Sequence, residues 1–124
     1  MLGKIILWIS AAVFICYGLV CFFSPAVPAG YAGLDLTNGD ALAEIGAMYG
    51  GLQTGFGLFC LLAATRAEYY KPGLVLLVLC IGLLALTRLY TMLTTGDPVG
   101  GYTYGALVFE FTIAIVAVLA LRKA

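Results

Sequence analysis

Histidine is absent from this 124-residue chain, and charge is scarce: six Lys and Arg face six Asp and Glu, together 10% of residues. Without imidazole, histidine-ligated haem, two-histidine iron sites and most zinc enzymes are disfavoured, so no metal and no cofactor is expected. A net charge of zero and the lack of any basic patch argue against nucleic acid as a partner. The four cysteines (Cys16, Cys21, Cys60 and Cys80) fall inside apolar runs with no CxxC pair, which favours packing over thiol redox chemistry.

What fills the chain instead is apolar side chain. Hydrophobic residues make up 64% of it and the mean hydropathy is +1.11. A soluble domain carries about a quarter charged residues. Apolar stretches run over residues 5–23, 45–64, 73–93 and 104–121. Crossing a hydrocarbon layer takes about 20 such residues, because the layer is about 30 Å thick and a helix rises about 1.5 Å per residue. The first stretch is longer than the roughly 7–15 apolar residues of a secretory signal, so it reads as a transmembrane helix. Every backbone polar group in lipid must be satisfied within its own segment. The expectation is therefore an all-α, multi-pass integral membrane protein: one domain over residues 1–124, a four-helix up-and-down bundle with spans at about 5–23, 41–64, 73–93 and 104–121.

The few cations orient it. Lys4, Arg66, Lys71, Arg122 and Lys123 flank the spans, all on one side, while the other two connectors hold none. Positive residues stay inside, so both termini are expected in the cytoplasm. The segment 24–39, with two prolines and several glycines, reads as too broken for a helix. Asn38 or Asp40 is placed to cap the second helix.

Arg88, the sixth cation, lies inside the third span, where an arginine at the helix centre costs about 2.5–3.5 kcal/mol. It falls five residues before the span's end, about 7–8 Å deep; Glu110 is about 9 Å into the fourth helix and Glu44 about 6 Å along the second. Alternating helices bring the three to one level. Ala106, Ala114 and Ala117 share the face of Glu110, and a small-residue face packs on a helix rather than on lipid. An Arg88–Glu110 pair joined by Glu44 is expected. One cation with two carboxylates leaves an excess negative charge, so either one acid holds a proton or the site takes a cation or hydrogen-bond donor.

The second span carries Gly46, Gly50, Gly51, Gly55 and Gly57, with two GxxxG spacings suited to close helix packing. Tyr49 and Gln53 add polar groups leading inward from Glu44. The stretch E-x-x-A-x-Y-G-G-L-Q (Glu44, Ala47, Tyr49, Gly50, Gly51, Leu52 and Gln53), with Arg88, the Gly96-Asp97-Pro98 turn and Glu110, resembles an uncharacterised bacterial membrane family catalogued as domain of unknown function 4345. The resemblance spans essentially the whole chain; it implies four membrane helices and no activity. That family's pattern often has an arginine two residues after the first glutamate. Gly46 stands there instead, leaving Arg88 as the one cation within the spans. A looser likeness to DoxX-type membrane proteins, some linked to quinone chemistry, rests on architecture.

The leading functional expectation is an accessory or binding protein whose outer-leaflet pocket (Glu44, Tyr49, Gln53, Arg88 and Glu110) holds a membrane lipid, quinone or other hydrophobic small molecule by its polar head. The alternatives are an oligomeric proton-coupled transporter or channel, and a structural subunit, as a homo-oligomer or beside another membrane protein. Enzymatic activity is the least favoured, for want of a nucleophile-base pair.

Overall fold

The computed structural model describes Met1–Ala124, all helix and connector without a strand. Five helices are formed: α1 (Leu2–Phe23), α2 (Ala26–Ala32), α3 (Gly39–Thr65), α4 (Ala67–Thr94) and α5 (Gly101–Arg122). All but α2 are long and apolar enough to cross a membrane.

The helices overrun the apolar stretches, and for a physical reason. Hydropathy reports the length that suits lipid, whereas a helix continues as long as its backbone bonds close. Thus α4 begins at Ala67, six residues before its apolar run, and includes Pro72. Proline there removes one backbone donor near the helix start. Only Arg66, with extended backbone, separates α3 from α4.

The proline-rich segment corrects an expectation, since it contains α2. Pro25 takes the N-cap and Pro28 falls in the first turn, where helix N–H groups have no intrahelical partner to lose. Gly33, with φ of 70°, ends α2 in the left-handed region that side chains with a Cβ avoid. Downstream, Asn38 caps α3 through its side-chain oxygen, which accepts from the Ala41 N–H at 2.9 Å.

Helices α3 and α4 are not α-helical throughout. Ile45–Gly51 and Leu77–Ile81 wind as π-helix, so that Leu52 N–H donates to the Ala47 carbonyl, five residues back. The Thr54 hydroxyl adds a 2.7 Å bond to the Gly50 carbonyl where the winding tightens again.

The chain forms two compact units. One comprises Trp8–Leu62. Here α1 and α3 run antiparallel on a glycine seam: a Cβ on Gly50 would stand 3.1 Å from Phe22 Cα, one on Gly18 2.7 Å from Thr54 N, and one on Gly57 2.7 Å from Ile15 N. Phe14, Cys21, Ile45 and Cys60 are buried around the seam.

The other unit comprises Met1–Leu7 and Ala63–Ala124. Its core is Leu7, Leu74, Leu77, Ile81 and Ile113, set among the small residues Ala63, Ala85, Ala114, Ala117 and Ala120. Gly73 admits Ala63 and the Leu7 side chain, 3.2 Å from where its own Cβ would be. Gly3 lies under Tyr70 and Ala120 in the same way.

Candidate functional site

Helical spacing aims Arg88 and Glu110 at each other. On α4, Ile81 and Ala85 precede Arg88 by seven and three residues and are both buried, so all three share one face. On α5, Glu110 shares its face with buried Ile113, Ala114 and Ala117. These two faces pack together within one unit, and the charges meet. Arg88 Nε donates to Glu110 Oε2 at 2.9 Å, and Nη2 donates to Oε1 at 2.7 Å. This is a fork-to-carboxylate pair, the geometry that a planar guanidinium favours and an ammonium cannot reproduce.

The partners differ in access. The Glu110 side chain is 6% exposed, whereas that of Arg88 is 26% exposed. The carboxylate is therefore enclosed and spoken for, and the guanidinium is the part that something outside the pair can reach. Around it the hydroxyls are used locally: Thr91 donates to the Thr87 carbonyl and Thr94 to that of Tyr90, each at 2.9 Å. Threonines in membrane helices satisfy their hydroxyls this way at little cost.

The other expected site residues belong to the second unit. Glu44 is exposed on α3 at the last residue before the π segment, and its carboxylate makes no ion pair or hydrogen bond. Tyr49 lies within the π segment and helps line a small cavity with Tyr17, Cys21 and Ala29. Gln53 is half-buried, and its amide makes no hydrogen bond inside the protein. Of the five glycines, Gly50 and Gly57 receive α1. Gly46 and Gly55 have nothing within 4 Å of where a Cβ would be, and Gly51 has only the Gly46 carbonyl at 3.8 Å. Gly18, the α1 half of the seam, stands alone in the sequence with no GxxxG partner and was missed for that reason. The π segments were missed as well. One of them, Ile45–Gly51, coincides with the Tyr-Gly-Gly motif on α3, and π turns recur at functional sites.

All four cysteines are free thiols, and no cluster of acidic or thiol side chains has the makings of a metal site.

Residues 2–121 match a sequence family described as Domain of unknown function (DUF4345). The chain belongs to that family. It covers all four membrane-length helices, including both the Tyr-Gly-Gly stretch and the Arg88–Glu110 pair. No curated protein and no solved structure matches the chain, so nothing supports the expected likeness to DoxX-type proteins.

Proposed function

We propose that this member of the DUF4345 family is an accessory membrane protein that holds the polar head of a lipid, quinone or other amphiphile at the Arg88–Glu110 pair. The observation that carries the reading is the unequal access of the two partners: a carboxylate 6% exposed fixes a guanidinium 26% exposed. A buried ion pair is a poor stability device, since apolar residues of similar volume do as well or better. Its use here is to hold a hydrogen-bond donor of fixed direction at a depth where headgroups and quinone carbonyls lie, on a helix whose tail continues into lipid. Glu44, Tyr49 and Gln53 are candidate polar contacts in their own unit, Gln53 because its amide has no partner in the chain.

Native mass spectrometry of the protein, gently extracted from its own membrane, tests this. The comparison is the double variant Arg88→Met with Glu110→Leu, which removes the pair without stranding either charge. The expected result is a stoichiometric small molecule on the wild type and none on the double variant. A wild type that flies bare, or a molecule held equally by both, would overturn the reading.

The proposal includes a bacterial inner-membrane location with both termini cytoplasmic, supported by Lys4, Arg66, Lys71, Arg122 and Lys123 all falling at the same ends of the spans. A tag placed after Ala124 is then expected to survive protease added to intact spheroplasts and to be cleaved once they are lysed. Cleavage before lysis would reverse the orientation.

A further inference from the structure

A groove of about 300 Å³ runs along the unit formed by Met1–Leu7 and Ala63–Ala124, between α4 and α5. Its walls are apolar side chains, Leu86, Phe111, Ile115 and Val118 among them, and one cation, Arg122, stands at its end. The geometry points to this groove as a binding site for an anionic phospholipid, with one acyl chain between the helices and the headgroup phosphate on Arg122.

Three observations converge on that occupant. The first is the floor, which is low because Gly82 faces Ala114: a Cβ on Gly82 would lie 3.8 Å from that of Ala114 and meet nothing else within 4 Å. A slot of this kind accepts a chain without any side chain having to move. The second is length. From Phe111 to Arg122 is eleven residues, about 16 Å of helix rise, and half of a hydrocarbon core about 30 Å thick is one leaflet. The slot thus covers the C-terminal half of α5 down to the headgroups at Arg122, the reach of a single acyl chain. The third is that Arg122 is exposed in the last turn of α5 and makes no ion pair or hydrogen bond, so its guanidinium fork is available to a phosphate. Lys123 beside it is also exposed and unpaired. Two cations here attract the phosphate of either headgroup and repel the ammonium of a zwitterionic one, and so favour a headgroup with net negative charge.

This site is separate from the Arg88–Glu110 pair. Glu110 lies twelve residues from Arg122 along α5, about 18 Å away, towards the other leaflet. Neither inference needs the other, and the variants that test them do not overlap.

The test uses delipidated full-length protein in neutral detergent, titrated with phosphatidylglycerol or with phosphatidylcholine of the same chains and read by native mass spectrometry. The wild type is expected to take up one phosphatidylglycerol with about fivefold preference over phosphatidylcholine, the size of one arginine's contribution at a membrane surface. Arg122→Gln, an exposed change that leaves the core untouched, is expected to erase the preference. Lys123→Gln, which removes an equal charge outside the groove wall, is expected to reduce it less. Gly82→Leu, which fills the slot, is expected to lower uptake of both lipids. Equal uptake of the two lipids by wild type would overturn the proposal, as would equal effects of Arg122→Gln and Lys123→Gln, which mark diffuse surface charge. A protein dimer that Gly82→Leu abolishes, with lipid uptake unchanged, would overturn it too by giving the groove to a second copy of the chain.

Discussion

Glu110→Leu alone is expected to destabilise the protein by about 3–5 kcal/mol, and adding Arg88→Met to it is expected to recover most of that loss. The asymmetry follows from what each change leaves behind. Glu110 supplies both acceptors of the fork, at 2.9 and 2.7 Å. Without it, Arg88 keeps its charge within an apolar helix pair and must distort towards the headgroups or draw water inward. With both gone, methionine and leucine fill similar volume between α4 and α5, and no group is stranded. Reversible unfolding in mixed micelles, run as a double-mutant cycle, measures this directly. A coupling energy below about 0.5 kcal/mol would mean that the two groups do not depend on each other, and the pair would lose its place in the functional reading.

The second large effect is steric. Gly57→Ala is expected to cost about 1–3 kcal/mol, although alanine is the better helix former by about 1 kcal/mol. The new methyl would stand 2.7 Å from Ile15 N and 3.1 Å from the Ala11 carbonyl oxygen, both backbone atoms of α1 that can yield only if the helix retreats. Gly55→Ala, two residues earlier on the same helix, is the control. Its methyl meets nothing within 4 Å, so a neutral or slightly stabilising change is expected. The same unfolding assay reads both variants. Equal effects at the two positions would remove the α1–α3 seam as the source of the difference.

What the sequence made legible was set by the membrane. Hydrocarbon thickness dictates how long an apolar helix must be, and so all four membrane-length helices could be read from hydropathy. The cost of charge in lipid then made Arg88 and Glu110 conspicuous, and equal depth on neighbouring antiparallel helices made them partners. Features decided by backbone detail stayed hidden. A proline reads as a helix breaker until its position in the first turn of α2 is known, as with Pro28. Glycine spacing shows that close approach is affordable and leaves open which glycines are approached. Hence Gly50 and Gly57 pack on α1 while Gly46 and Gly55 do not, and a solitary Gly18 completes the seam. Depth along a helix does not fix which way a side chain points, and Glu44 is exposed.

The π segments carry a consequence for how this family can diverge. A π turn holds one residue more than the α-turn it replaces, so losing a residue there restores ordinary winding while both flanking halves keep their facing. Elsewhere along a span, one residue lost rotates everything beyond it by about 100° and turns a packed face towards lipid. Ile45–Gly51 and Leu77–Ile81 are therefore the two windows within the spans where chain length is free to drift. Natural insertions and deletions inside these helices should collect there, because only there does the rest of the helix fail to notice them.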